Sequence, residues 1–526
     1  MEMLDSGCGW SPEKRTAAIA GPKVPKRQRS LERPPLENRK VPNSSSSYSS
    51  KSGSSDCQGI HVVSSVNAAA DMPELPAPIP YRGRLSLLQF LNRLRDSTID
   101  TFSQDAYEQD IVGQKILWRH VFVVSEPAAV KHVLLDNGQN YHKTEITRRI
   151  LEPGLGKGLI TLEGDTWKRH RRTMAPPFDH RSVAAYTPVM TGAAEELLTE
   201  WRKIGENVSH DVADDMMEVT LKIISRTMFS SDSDEIMHIM GHAAGRYQAT
   251  VRPNILDLFN APLWLAGIGR NKAAKRAFAE FDSLIDRLIA ARVRDSGSAP
   301  KDLLARLIAA RDDETGGGMS AQEVRDHVIT MFMAGHETTA MAMTWTWFLL
   351  SKHPQEEAKL HAELDSVLGG RAPTHEDLPK LTYSRMVIEE AMRIYPAVPA
   401  IEREALADDT VAGRHVPKGS TVMIVPWVLH RHLKLWKEPG RFDPERFSPD
   451  QVAARPRFAY LPFGGGKRIC IGAAFALAEA TILLAALAQH YTLRLVPGHP
   501  VDPQALITLR ARHGMKMFFT PRRLPL

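Results

Sequence analysis

From residue 85 onward, apolar positions recur at three- and four-residue spacing, the signature of helices with one buried face. The segments "GDTWKRHRRTMAPPF", "VAAYTPVMTGAAEELLTEWRKIG", "DVADDMMEVTLKIISRTMF" and "AKRAFAEFDSLIDRLIAARVRD" all read this way. Shorter runs of strand character interrupt them. "HVFVVSEPAAVKHVLLDN" predicts a strand, a turn and a helix, and "TVMIVPWVLH" and "TLRLVP" predict further strands. One helix stands out for its length. It opens with Ser320 and Glu323 in capping-box spacing and stops before Pro354. At 1.5 Å per residue it is a rod of about 48 Å, enough to traverse a domain. With no repeat period apparent, the fold class is mainly α with a minor β component.

Two apolar stretches could be taken for membrane spans. Thr338–Leu350 is too short to cross a bilayer, and the run from Ile469 to Gln489 carries Glu479 at its centre, which lipid would penalise. Both are expected to be buried helices, with no membrane span.

Residues 1–70 differ in kind. Their Ser, Pro and charge content cannot offset the entropy of ordering, so a disordered basic tail is expected, followed by a Pro-rich connector over 71–84 and one folded domain over 85–526. The first sixty residues hold ten Lys/Arg against six Asp/Glu, a net +4 out of +6 for all 526 residues. The remainder is nearly balanced, which excludes a body with a dominant basic face for nucleic acid. The three cysteines, Cys8, Cys57 and Cys470, make neither a disulfide framework nor a zinc site, and a cytoplasmic location follows as the expectation.

Cys470 is the cysteine of the folded region, in "FGGGKRICIG" at the mouth of an apolar helix. Three glycines let the chain pass close to a flat partner, while Lys467, Arg468 and the unpaired N–H groups of the helix start favour a thiolate. No motif supplies the base a nucleophile needs, and no Gly-Lys-Ser/Thr ending makes a phosphate loop. A metal held from one side by one soft ligand remains, and a haem iron fits.

Phe463-x-x-Gly466-x-Arg468-x-Cys470-x-Gly472 resembles the haem-binding signature of the cytochrome P-450 family, with every position filled. The resemblance implies a soluble bacterial-type fold with haem b between a long oxygen-binding helix and the cysteine loop, Cys470 as axial thiolate, Phe463 beside the sulfur, and Arg468 on a propionate. The long helix carries "AGHETT" at its middle, which looks like the family's oxygen-binding segment. Ala334 and Gly335 would leave room for the flat ligand, Thr338 would hydrogen-bond dioxygen and Glu337 would feed protons; His336 has no implied role. Glu390 and Arg393 match a buried E-x-x-R pair with Arg446 of "FDPERF" as third, structural partner. Arg403 matches a propionate position, and Trp167 with Arg171, four apart on one helix face, match the pair on the other propionate.

The family implies a haem-thiolate monooxygenase that puts one atom of dioxygen into an organic substrate and reduces the other to water. Only 56 residues follow Cys470 and no cofactor-binding pattern precedes residue 80, so a separate ferredoxin or flavodoxin-like donor with its reductase is expected, docking near Lys467. A peroxide-driven peroxygenase is the alternative, disfavoured by the intact Glu337–Thr338 pair, and a non-catalytic haem sensor is a third. Pocket segments around 251–270, Met331, Phe332, Ala334 and Val398–Ala400 are apolar, so an apolar substrate such as a fatty acid, terpenoid or polyketide-like molecule is expected.

Overall fold

The computed structural model describes residues 75–523 except 117, 206–207, 251–267 and 295–301. The expected tail over 1–70 and the pocket segment at 251–267 therefore lie outside the described residues. The chain from Leu75 is tied to the body: the Tyr395 hydroxyl donates to the Pro76 carbonyl at 3.0 Å, and Gln104 N–H donates to the Tyr81 carbonyl at 2.9 Å.

Helices dominate. Those that build the site are α1 (Leu87–Asp96), α2 (Glu145–Leu155), α3 (Gly164–Met174), α4 (His180–Trp201), α5 (Val212–Phe229), α6 (Asp234–Thr250), α7 (Ile268–Arg294), α8 (Ala321–Lys352), α9 (Thr382–Ile394) and α10 (Ala473–Ala488). The long helix α8 has the expected start and stop. Ser320 is its N-cap with both capping-box bonds formed, and Pro354 begins the next helix; α8 itself has 32 residues. The strand, turn and helix expected over 120–137 are present as β2 (Arg119–Val124) and the helical turns from Pro127 to Asp136. The strand expected over 421–430 ends at Ile424, because Pro426 lacks the N–H a ladder needs and instead opens a short helix.

A five-stranded sheet lies to one side. Its strands β1 (Ile111–Ile116), β2, β3 (Tyr141–His142), β5 (Ile401–Ala405) and β6 (Thr421–Ile424) stand in the order β1-β2-β6-β5-β3. β2 and β6 run parallel with Val121 opposite Thr421, and β5 is antiparallel to β6 with Arg403 opposite Val422. A second sheet pairs β4 (Ser209–Asp211) and β7 (Tyr491–Leu495) on either side of β10 (Lys516–Pro521), and β8 (Pro503–Ala505) with β9 (Leu509–Ala511) forms a hairpin.

α8 passes through two hydrophobic clusters. Val324–Met333 packs among α5, α6 and α7, whereas Ala340–Leu350 packs among α4, α9 and α10. Trp345, Trp347, Phe348 and Leu350 are essentially without exposure, each contributing about 2–3 kcal/mol of burial. α10 is buried along most of its length, Glu479 included. No helix among the described residues is long and apolar enough to cross a membrane. Residues 334–339 of α8 belong to neither cluster. The gap between the two cores is where the helix meets the central cavity.

Candidate active site

A cavity of about 930 Å³ opens at that gap. Cys470 lines it from one direction and Ala334, Gly335, Glu337 and Thr338 from α8. The cysteine loop is closed by its own backbone, with Cys470 N–H donating to the Phe463 carbonyl at 2.9 Å. Gly464 and Gly466 have φ of +69° and +66°, a left-handed conformation that side chains resist. Gly466 has a constraint beyond the expected one. A Cβ there would lie 2.0 Å from the Leu134 carbonyl oxygen, so this glycine also lets the loop pass against the turn at 132–136. Gly472 has only the Cys470 sulfur nearby, at 4.0 Å from where a Cβ would stand.

Cys470 is accessible from the cavity, and its surroundings only partly match the expected thiolate site. Burial pushes its thiol up, against the opposing pull of the Gly472 N–H and the Arg171 guanidinium. The protein alone thus favours the thiol, because desolvating a charge outweighs one N–H and one cation. A bound metal has to secure the thiolate.

On α8, the Thr338 hydroxyl donates to the Ala334 carbonyl at 2.8 Å and the Thr339 hydroxyl to the Gly335 carbonyl at 3.3 Å. Gly335 lines the cavity, yet its small size serves the helix interface: a Cβ would come within 3.2 Å of Ile224 on α5. His336 points away, its Nδ1–H donating to the Phe332 carbonyl at 2.8 Å and its ring stacking on the Phe332 ring. Phe332 is fully buried against Phe281 and His336 instead of facing the cavity, whereas Met331 and Val398–Ala400 do line it. Glu337 is held by the β8–β9 hairpin. Its Oε1 accepts from Arg510 Nε at 2.7 Å and makes shorter contacts with Arg510 Nη2 and the Thr508 hydroxyl.

The cavity wall also carries a cluster of cations, Lys143, Arg171, Arg403 and Arg468. Arg468 is engaged by the protein itself: it pairs with Glu163, donates to the Leu162 carbonyl at 3.1 Å, and lies 4.3 Å over the Trp167 ring. Trp167 is thus a platform for Arg468 as well as the helix partner of Arg171. Arg403 is buried and pushed down to about 10 by that burial and by Arg468, and Lys143 is pushed down to about 7 by burial and by Arg468 and Arg403. Two acids lie among these groups, Glu163 and Glu402, and Glu402 accepts from Thr144 and Thr147. Four basic side chains face two carboxylates, which leaves a net positive charge even with Lys143 only partly protonated. A flat ligand bearing two propionates and taking a sulfur ligand fits this donor set, so the residues present suit haem.

Residues 73–514 match the sequence profile of the family described as Cytochrome P450. The chain belongs to the cytochrome P450 family. It is 38% identical over 422 residues to "Cyclooctatin synthase" of Streptomyces melanosporofaciens, covering 78% of this chain and 89% of the relative. "Cyclooctat-9-en-7-ol 5-monooxygenase" of the same organism is 34% identical over 396 residues, 74% of this chain and 83% of the relative. The solved structure "Crystal structure of cytochrome P450DA heme domain" aligns with a TM-score of 0.75 at 26% identity, over 85% of this chain and 99% of that one. This P450 is a haem-thiolate monooxygenase, acting with dioxygen on an organic substrate.

In this P450 the three residues read as structural come together. Glu390 and Arg393 are without exposure and joined at 2.6 and 2.7 Å, and Arg393 also donates to the carbonyls of His430, Pro439 and Arg441. Arg446 stands 3.5 Å from Glu390, within ion-pair range. Lys143, Thr508 and Arg510 went unnoticed in the sequence. Lys143 sits in a polar stretch with no periodicity, and the other two reach Glu337 across more than 170 residues of chain. Arg149 on α2 pairs with Glu145 at 3.0 Å.

Proposed function

We propose that this P450 hydroxylates an alicyclic, terpenoid-type substrate, with Cys470 as the axial ligand and Glu337 and Thr338 as the proton-handling pair. The observation that carries the reading is the shared cavity: Cys470 and Thr338 line one space whose remaining wall is largely Ile, Leu, Met, Val and Phe. Away from the cluster of cations suited to the propionates, such a wall takes a hydrocarbon body. The names of the two Streptomyces relatives, one of them a monooxygenase of a cyclic alkenol, favour a cyclic substrate over a linear chain.

Haem supplies the chemistry of dioxygen cleavage and insertion when bound. The residues of this chain do the rest. Cys470 offers its sulfur from the closed loop, and Lys143, Arg171, Arg403 and Arg468 are suited to hold the propionates. The Thr338 hydroxyl, with its proton on the Ala334 carbonyl, keeps its lone pairs for a hydrogen bond from the cavity side. Glu337 is the buried acid nearest to it in sequence and the group able to bring protons. Apolar walls keep bulk water out, so that protons arrive by this route.

Electrons come in this reading from a separate acidic ferredoxin or flavodoxin-like partner, on a face where Lys467 and Lys168 are exposed, in the cytoplasm. Lys467→Glu should lower the rate of electron transfer and steepen its loss with salt; an unchanged rate would reject this face. The substrate reading is tested by optical titration of haem-loaded protein with cyclic terpenes, linear fatty acids and polyketide lactones. Displacement of ferric-iron water, seen as a Soret shift to shorter wavelength at the lowest concentrations with the cyclic terpenes, is expected. A preference for fatty acids would overturn it.

A further inference from the structure

The β8–β9 hairpin makes two kinds of contact. Toward α8 it sends Thr508 and Arg510 onto Glu337, so that three donors converge on the single oxygen Oε1. Into the cavity it sends Leu506 and Ile507, the two residues immediately before Thr508. The base of the hairpin is pinned. Ala505 N–H donates to the Ser97 hydroxyl at 3.0 Å, Leu509 N–H to the Ala397 carbonyl at 3.0 Å, and Trp345 of α8 to the Leu509 carbonyl at 3.0 Å. Between these pins the backbone of the tip closes through a 3.3 Å bond from Leu506 N–H to the Thr508 carbonyl.

An oxygen already accepting from three donors has no lone pair left for a proton. Arg510 does not relieve this, because a guanidinium gives up no proton in a protein. With the contacts closed, three bonds to Oε1 anchor the whole carboxyl group to the hairpin, so it cannot swing to carry a proton toward Thr338 on either oxygen. The Arg510 side chain is about one-third exposed, which places solvent on the far side of the same contact. Opening it would give Glu337 access both to water and to the cavity.

We infer that the 503–511 hairpin is a substrate-sensing clasp on Glu337, in which a ligand large enough to press on Leu506 and Ile507 loosens Thr508 and Arg510 and frees the acid for proton delivery. The inference rests on the proposed role of Glu337 in moving protons. Thr508 and Arg510 are positioning residues, acting through Glu337. Proton delivery then waits for a substrate that fills the cavity to the hairpin, and a small molecule that reaches the iron but not the tip leaves the acid fastened.

The test uses the full-length haem-loaded protein with a ferredoxin and its reductase, and two neutral alicyclic probes, cyclohexanol and cyclododecanol. Wild type should consume oxygen about tenfold faster with the larger probe, the effect of one hydrogen bond to a charged group. In Thr508→Val/Arg510→Leu the two rates should converge, with Thr508→Val alone part-way and Arg510→Lys close to wild type. Backbone hydrogen exchange over 506–511, a readout independent of turnover, should rise in wild type with cyclododecanol and not with cyclohexanol. A wild-type rate ratio that persists in the double variant, or exchange unchanged by the larger probe, would overturn the clasp. Should the double variant not fold, convergence or its absence in Thr508→Val decides. Glu337→Gln separates the two readings: it should slow turnover about 10²-fold as loss of a general acid does. If it does not, the proton role of Glu337 fails and the clasp with it; if it does while the ratio survives in the hairpin variants, only the clasp fails.

Discussion

Replacing Glu479 by glutamine should stabilise the fold, and by an amount that grows with pH. Glu479 lies on α10 with 1% exposure; the Thr339 hydroxyl is its hydrogen-bond partner, and its Oε2 has no partner among the described residues. Burial raises its carboxyl from 4.5 to about 8. The folded state therefore keeps a proton that the unfolded chain loses, and stability must fall as pH rises from 4.5 to about 8. At about 1.4 kcal/mol per pH unit, the loss at pH 8 relative to pH 4.5 is about 5 kcal/mol as an upper bound. Glutamine matches the neutral acid in shape and hydrogen bonding and removes the linkage. With about 2 cal/mol/K of unfolding entropy per residue over some 440 residues, 5 kcal/mol corresponds to about 5 °C in Tm. Thermal unfolding of haem-loaded wild type and Glu479→Gln at pH 5, 6.5 and 8 measures it. The variant should match wild type near pH 5 and exceed it by several degrees at pH 8. A difference that does not change with pH would refute the reasoning, since it would show Glu479 ionising alike in both states.

Lys143 gives a second pH effect, with the sign set by its value of about 7 in the haem-free protein. Above pH 7 it must take up a proton to meet a propionate, which takes up to about tenfold per pH unit off haem affinity there and nothing below, on top of the opposite gain from the proton that Cys470 loses on ligation. Haem transfer to apomyoglobin across pH 6–9 should show this as the difference between wild type and Lys143→Met. Gly466→Ala should cost about 1–3 kcal/mol of backbone strain or more, since φ is +66° and the new Cβ meets the Leu134 carbonyl; urea unfolding together with haem content checks it, and an unchanged midpoint would contradict it.

Much of the scaffold was legible in the residues because its signals are local. The capping box at Ser320 and Glu323 and the stop at Pro354 define α8, and the glycines and cysteine of 463–472 define the ligand loop. What stayed hidden depends on partners distant in sequence. Gly466 looks like a residue kept small for a flat ligand, and its further constraint, the Leu134 carbonyl, shows only in the fold. Arg468 reads as a propionate ligand, and nothing in the motif tells that Glu163 holds it. Trp167 and Arg171 share a helix face as spacing requires, but the stacking of Arg468 on Trp167 crosses 301 positions of the chain. Glu337 reads as a free acid in "AGHETT", while its partners lie on a hairpin whose residues carry no motif at all. The state of the Cys470 sulfur before haem binds stayed hidden for a different reason: neighbouring positive groups can be counted in a sequence, whereas desolvation of the sulfur cannot.

The most direct test of the central claim is the optical spectrum of the carbon monoxide complex of the reduced, haem-loaded protein, recorded for wild type and Cys470→His. Wild type should give the long-wavelength Soret band of a thiolate-ligated haem, and Cys470→His should bind haem in the same cavity but shift the band to the shorter wavelength of an imidazole ligand. A wild-type band already at the shorter position, or a long-wavelength band that survives loss of Cys470, would contradict the assignment of Cys470 as the ligand on which the site is built.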